Sequence, residues 1–566
     1  MELNVAAACE AIAAAHPDRD CVVARGRVWS WAEVQDRTRR LAAVLVAAGL
    51  GRHEAGPDTS GGDRPHGDRQ GQDTRARWTS VQDHVALYLH NGNEYLEGML
   101  GSWKARCAPF NVNYRYVADE LRYLLDDAGT RAIIVADTFA PVLAQVLPTL
   151  ERPPTLVLQV RDGSGHELID GALEYEAALA AADPALDPQL VDSWSGDDLY
   201  LCYTGGTTGM PKGTMWRQAD FVVAALGVRR RDGNDLESLG ELVAAAKGTV
   251  RALPAPPLMH GAAHWNALSC WLAGGTVVVQ DVVDRFDPLD VLDTVEAQRA
   301  TSLLVVGDPM ARPLVDQLRA ERAEGIHRDL SSLRHLLSGG AVLSPTTKEQ
   351  LLELIDGLTI VDVLGSTESG RQGVAQVRSG QDPAGGFSPS ATAVVLSEDL
   401  SHRLRPGDDE LGWLAQRGRV PLGYLGDPEK TMATFPIVDG ERHAVAGDRA
   451  RWRADGTIEL HGRDSVCINT GGEKVFAEEV ETALKTHPGV LDAVVCGRPS
   501  ERWGEEVVAV VAMRPDATAS DDELRDAAGA HLARYKLPRA IVRVPEVVRA
   551  PSGKADYRWA RTQATT

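Results

Sequence analysis

Short apolar runs alternating with helical patterns limit the fold of this chain more than any other feature of its sequence. The runs Val85 to Leu89, Ala132 to Ala136, Thr155 to Val160, Thr276 to Gln280, Ser302 to Val306 and Leu358 to Leu364 have the length and composition of buried strands. Helical patterns such as Ala118 to Ala128 lie between them. A strand apolar on both sides needs cover on both sides, so the alternation predicts an α/β protein with largely parallel sheets. The pattern changes near Arg463. From Val466 onward the order reads strand, helix (Ala477 to Thr486), two strands (Leu491 to Cys496 and Glu506 to Met513), then a helix opened by the capping pattern Ser520-x-x-Glu523. We expect an N-terminal domain over 1–463 and a small α+β lid over 464–566, a division that suits a chain of 566 residues. Residues 51–77, which contain no Val, Ile, Leu or Phe, are expected to form a mobile surface loop.

Charge narrows the partners. The chain has 59 basic against 80 acidic residues, a net charge of -21, which argues against nucleic acid or an anionic membrane as the main partner. An anionic substrate must then meet locally placed cations. The seven cysteines are scattered without metal-ligand or disulfide-framework spacing. No apolar run reaches the roughly 18 residues that span a bilayer, and the N-terminus carries acids where a signal peptide carries bases. These features predict no integral membrane segment and a reducing cytoplasm as the compartment.

The segment with most chemistry is Tyr203-Thr-Gly-Gly-Thr-Thr-Gly-Met-Pro-Lys-Gly213, which follows the apolar run Leu199 to Cys202. Gly205, Gly206 and Gly209 let backbone N–H groups turn inward, Thr204, Thr207 and Thr208 offer hydroxyls, and Lys212 brings a full charge. Together they make a cradle for polyphosphate. Pro211 precedes the lysine and Gly213 follows it, so the Walker pattern of P-loop motors and kinases is missing.

On these residues the chain resembles the adenylate-forming superfamily of acyl-CoA synthetases, luciferases and peptide-synthetase adenylation domains, over nearly its full length. It is most similar to the bacterial synthetases of fatty acids and steroid side chains, through Asn91 to Arg106, Phe110 to Leu125, Ile468 to Glu481 and Ser552 to Ala560. The resemblance implies an acyl-CoA synthetase-like fold, with ATP, magnesium and coenzyme A as the small molecules and a carboxylic acid as substrate. It implies that Glu368 with Thr204 holds magnesium, and that Gly365, Ser366 and Thr367 contact the nucleotide phosphates. Gly339, Gly340 and Ala341 match the adenine-lining turn, Asp362 the partner of the adenine amino group, and Asp448 and Arg463 the ribose contacts. His260 matches a gate of the acyl pocket, with Trp265, Gly307 and Asp308 lining that pocket.

Lys554 matches the lysine used for adenylation. A carboxylate approaching a phosphate costs about 4 kcal/mol per like-charge pair at 4 Å and an effective dielectric near 20, and a lysine there offsets that cost. Gly471, Gly472 and Lys474, with Lys536 as an alternative, match the face presented to coenzyme A after the lid turns about a hinge, here Ser465. The sequence departs from the family pattern at Ser465, at Leu364 in place of an aromatic residue, and at Ala477 in place of Pro. Two rival readings stay open: an acyl-AMP ligase that passes the acyl group to a carrier protein, and a nucleotide-binding protein without turnover. A homodimer is compatible with either. Which acid is activated is not written in these residues.

Overall fold

A computed structural model describes residues 1–53, 78–204, 210–230, 232–383, 385–470, 473–500, 504–515, 517–532, 534–550 and 553–565, without the side chains of Ser465, Asn469, Glu473 and Lys474. The chain forms two compact units. The first comprises Met1–Leu304, Thr367–Arg371 and Arg419–Pro436; the second comprises Val305–Ser366, Gln372–Gly418 and Ile437–Thr566.

The apolar runs of the first unit build parallel sheets. One sheet has the order Ala108–Asn111, His84–Tyr88, Thr130–Ala136, Leu156–Val160, Leu173–Glu174, every neighbour parallel. His84–Tyr88 is buried along its whole length. Each Val, Ile or Leu so covered contributes roughly 1.5–3 kcal/mol. A second group sets Asp20–Ala24, Thr276–Val278, Arg251–Pro254 and Ser302–Val305 side by side in parallel, with Arg27–Ser30 antiparallel at its edge. The third sheet is antiparallel and joins Leu199–Thr204, Lys212–Arg217 and Gly423–Tyr424.

The helix Asn93–Lys104 is buried throughout, its charged residues included. Glu97 accepts hydrogen bonds from Arg37 Nε (2.7 Å) and Nη2 (3.0 Å), Asn93 Nδ2 (2.9 Å) and the Tyr175 hydroxyl (2.8 Å). A buried carboxylate is tolerated only with such a full set of donors. The resembling segment Asn91 to Arg106 is therefore a packing element.

In the second unit His335–Gly339 and Thr359–Ser366 run parallel, with Ser338 opposite Asp362. Ala393–Leu396, Gly412–Arg417, Glu441–Trp452 and Ile458–Arg463 form an antiparallel sheet that no sequence pattern announced. The C-terminal segment has its own five-stranded sheet, in which Gly504–Met513 pairs antiparallel with Val490–Ser500 and parallel with Ala540–Val544. Helices Ala477–Leu484 and Asp521–Gly529 help cover one core, built on Val475, Val480, Leu484, Val495 and Val511. Tyr557–Thr565 covers the opposite core, built on Val494, Val508, Val510 and Ala560. The architecture is thus a large α/β part with mostly parallel sheets and a small C-terminal α+β part.

The Ser520 cap forms as expected: its hydroxyl accepts from Glu523 N (3.2 Å) while Glu523 accepts from Ser520 N (2.7 Å). Of the expected loop 51–77, residues 54–77 lie outside the described residues, and Gly51 N donates to Asp83 Oδ2 at 3.0 Å. No helix among the described residues is long and apolar enough to cross a membrane.

Candidate active site

Within the first unit a hairpin brings Thr204 and Lys212 together, because Leu199–Thr204 ends where Lys212–Arg217 begins and the register sets the two residues opposite each other. Gly205, Gly206, Thr207, Thr208 and Gly209, between them, lie outside the described residues. The Lys212 ammonium donates to Asp427, which also caps the helix Pro428–Thr434 by accepting from Lys430 N (2.9 Å). Partial burial raises the Asp427 carboxyl, but the Lys212 and Lys430 hydrogen bonds outweigh it and hold the group below the usual carboxylate range. The base of the hairpin is fixed by Asn111, whose Nδ2 donates to Tyr203 O (2.7 Å) and whose Oδ1 accepts from Tyr203 N (2.9 Å).

Glu368 Oε1 accepts from the Tyr424 hydroxyl at 2.9 Å, and Thr367 O accepts from Trp216 Nε1 at 2.9 Å. The Tyr424 contact orients the Glu368 carboxylate. No cluster of three or more His, Cys, Asp or Glu side chains suited to a metal occurs among the described residues. A lone oriented carboxylate suits magnesium, which takes one or two protein carboxylates and fills its other positions with phosphate oxygens and water.

His260 stands at the N-cap of the helix Gly261–Leu272. One turn further on lies a buried residue that sequence reasoning passed over. His264 Nδ1 bonds to Leu258 O at 2.7 Å, its Nε2 bonds to the Tyr200 hydroxyl, and Trp265 Nε1 donates to that same hydroxyl at 3.0 Å. Burial pushes the His264 imidazole down to about 4, so it stays neutral and acts as a structural bond. Trp265 packs edge-on against Phe221 and Trp216.

The second unit places the remaining candidates. Gly339 ends the strand His335–Gly339, and Gly340 and Ala341 follow it. Gly340 has φ +83°, and a β-carbon there would lie 3.7 Å from Lys554 Cε, so the Lys554 side chain lies against this turn. Asp362 points to Lys348, which donates to it. Burial raises the Asp362 carboxyl against the pull of that ammonium. Gly365 and Ser366 close the Thr359–Ser366 strand, and Leu364 joins the apolar cluster of Val395, Leu414 and Ile458.

Asp448 and Arg463 face each other across neighbouring strands, with Arg463 Nε 3.2 Å from Asp448 Oδ1. Gly307 opens the helix Gly307–Ala323, and Asp308 Oδ1 accepts from Ser344 N (2.9 Å) and Ser344 Oγ (3.1 Å). The Asp308 carboxylate thus braces the turn that opens the helix Pro345–Leu354. Lys536 donates to Glu479 Oε2 at 2.6 Å. Gly471 and Gly472 lie outside the described residues, as do the side chains of Lys474 and the hinge candidate Ser465.

Asp427, Tyr424, Lys348 and His264 had no signal in the sequence, because each acts on a partner whose distance along the chain carries no period. Lys212 and Asp427 are separated by 215 positions and Tyr424 and Glu368 by 56.

Comparison with known proteins adds to this geometry. The family described as AMP-binding enzyme matches residues 79–425, and the AMP-binding enzyme C-terminal domain matches residues 479–554. The medium-chain acyl-CoA ligase Mig of Mycobacterium avium is 48% identical over 99% of this chain and 98% of its own length. The 3-oxocholest-4-en-26-oate–CoA ligase of Rhodococcus rhodochrous is 38% identical over 100% of this chain and 96% of its own. Among solved structures, the anthranilate CoA ligase AuaEII in complex with anthranoyl-AMP shares the fold, with a TM-score of 0.79 at 20% identity over 99% of this chain and 97% of that one.

Proposed function

The chain belongs to the AMP-binding enzyme family, and from that premise we propose that it is an ATP-dependent acyl-CoA synthetase for a fatty acid or a steroid-derived side-chain acid. The observation that carries this reading is the 48% identity, end to end, with a medium-chain acyl-CoA ligase. The similarity to a ligase of a steroid carboxylate keeps the polycyclic acid within the substrate class.

In the proposed reaction a carboxylate oxygen attacks the α-phosphorus of ATP, the bond to pyrophosphate breaks, and an acyl-adenylate results. The thiol of coenzyme A, giving up its proton to solvent, then attacks the acyl carbon, and the bond to AMP breaks. No protein nucleophile is needed; the side chains position and neutralise. Thr204 and Lys212, opposite each other on the hairpin, bind the phosphates. Glu368 and Thr204 would hold magnesium, which when bound supplies positive charge to the triphosphate. Gly339 to Ala341 with Asp362 receive adenine, Asp448 and Arg463 the ribose, and Gly365 to Thr367 the phosphates. Lys554 neutralises the reacting oxygens, and its place against Gly340, in the adenine turn, supports that role. His260, Trp265, Gly307 and Asp308 are assigned to the acyl pocket, and Gly471, Gly472 and Lys474 to coenzyme A. We take 1–463 as the AMP-binding domain and 464–566 as a lid hinged at Ser465. The fuller reading has a reducing cytoplasm as compartment and a homodimer as assembly, which sedimentation analysis checks.

Pyrophosphate release measured over short, medium, long and polycyclic acids tests the proposal. It is expected to peak with one class, and release of AMP is expected to require free coenzyme A. AMP release that proceeds with a carrier protein and ignores coenzyme A replaces this reading with the acyl-AMP ligase, and no pyrophosphate with any acid leaves a binding protein.

A further inference from the structure

An arginine outside every assigned role ties the helix that opens at the acyl pocket to the segment that carries Lys554. Arg312 lies in the helix Gly307–Ala323 and is 8% exposed. Its Nη1 donates to Val490 O (3.1 Å) and Leu491 O (2.7 Å), and its Nη2 donates to Lys485 O (3.0 Å). Lys485 is the C-cap of the helix Ala477–Leu484, so Nη2 sits on a carbonyl that the helix leaves unsatisfied, at the negative end of its dipole, while Nη1 holds the start of the strand Val490–Ser500. On the other side Arg312 Nε lies 3.6 Å from Asp308 Oδ2.

The contacts continue without a gap. Asp492, next after Leu491, receives Lys485 Nζ at 3.3 Å and Arg549 Nε and Nη2 at 2.6 and 2.7 Å. Arg549 Nη1 then donates to Gly553 O at 3.2 Å, the carbonyl directly before Lys554. Ala550 N donates to Lys554 O at 2.8 Å and closes that turn. The turn presses on the helix entry, since a β-carbon on Gly553 would lie 2.9 Å from Val306 Cγ1. A second, more exposed clasp joins Arg514 Nη1 to Asp316 Oδ2 at 3.0 Å, one turn along the same helix.

We propose that Arg312 is a positioning residue for adenylation: it clasps the Lys485 to Leu491 segment and, through Asp492 and Arg549, fixes the turn that presents Lys554. The inference rests on the two-step reaction proposed above. A fork of planar donors meeting three carbonyls is specific to Arg, because an ammonium offers no fixed fork to receive them. The clasp serves only the step that needs Lys554, so its loss separates the two half-reactions.

The test uses the full chain and the variants R312A and D316A. Hydrogen exchange of the unliganded protein is followed over 485–492 and 549–554. The half-reactions are followed with decanoate and ATP, then with supplied decanoyl-AMP and coenzyme A. For R312A we expect faster exchange in both segments and adenylation lowered by about a hundredfold, the order of loss that small misplacements of a catalytic group produce. Thioester formation from decanoyl-AMP stays within about twofold, because positioning Lys554 contributes to the other step. D316A, whose partly exposed pair cannot unfold the protein, moves the same way by about threefold. Equal loss of both half-reactions in R312A, unchanged adenylation, or unchanged exchange overturns the proposal. A wild-type protein that adenylates none of the acids fails the underlying reading instead, and the exchange result still decides whether the clasp exists.

Discussion

The two lysines assigned to the phosphates are held in opposite ways. Lys212 grows out of a strand paired along its length with Leu199–Thr204, and its ammonium rests on Asp427, a residue fixed as a helix cap. Lys554 stands on a short turn near the C-terminus, positioned by a relay of arginine and carboxylate contacts and by packing on Gly340 and Val306. One cation is part of its scaffold; the other, in the proposed reaction, is presented by the segment that bears it. A scaffold cation acts wherever phosphate is bound, whereas a delivered one acts only in the step for which it is presented.

K554A is the strongest attempt to break that contrast. Adenylation should fall by about a thousandfold, as when a preorganised charge-stabilising donor is removed. Thioester formation from supplied acyl-AMP should stay largely intact, measured as acyl-CoA produced without ATP. Equal loss of both steps removes the distinction between the lysines.

D427A sharpens it from the other side. The Lys212 side chain, 41% exposed, loses the partner that aims it. KM for ATP should rise about fivefold with kcat changed less than twofold, since an exposed ion pair is worth at most about 1 kcal/mol. Steady-state kinetics over ATP concentration decide this, and a fall in kcat alone would assign Asp427 a different task.

A third effect, on stability rather than turnover, concerns the segment that bears Lys554. Glu478 of the helix Ala477–Leu484 has Oε2 out of contact with solvent and without a hydrogen-bond partner in the described structure. Burial, with the Glu481 charge next and Asp448 nearby, pushes its carboxyl up to about 8 from an ordinary 4.5, against the opposing pull of the Arg463 amide. Between those values the folded chain keeps a proton that the unfolded chain has released. This contribution to stability is therefore full below about 4.5 and is lost as pH rises toward 8. E478Q, which cannot ionise, should be more stable than wild type at pH 8 by about 4 kcal/mol, with the difference fading toward pH 5. Urea denaturation at the two pH values measures it, and parallel pH profiles for both proteins refute it. By contrast Glu97, met by four donors from Arg37, Asn93 and Tyr175, is anchored outright.

Much of the parallel framework was legible in the sequence. The run Ala132 to Ala136 became the strand Thr130–Ala136, Leu358 to Leu364 became Thr359–Ser366, and Ser520-x-x-Glu523 became a reciprocal cap. These are local signals: a buried strand must be apolar, and a cap is made within four residues. Glu441–Trp452, reading ERHAVAGDRARW, gave no such signal, since charged side chains interrupt any alternation along it. The glycine and threonine motif located Thr204 and Lys212, yet not the hairpin register that sets them opposite each other.

The order of residues alone supplied the groups to which chemistry is assigned in the proposed function: the glycine and threonine motif with Lys212, the carboxylate of Glu368, and Lys554 close to the C-terminus. Their local chemistry follows from side-chain type and near spacing, which a sequence states directly. Only tertiary structure decided which partner aims each group: Asp427 for Lys212, Tyr424 for Glu368, and Arg312 with Arg549 for Lys554. A hydrogen bond depends on angles and ångströms that arise when distant segments pack, and separation along the chain encodes neither.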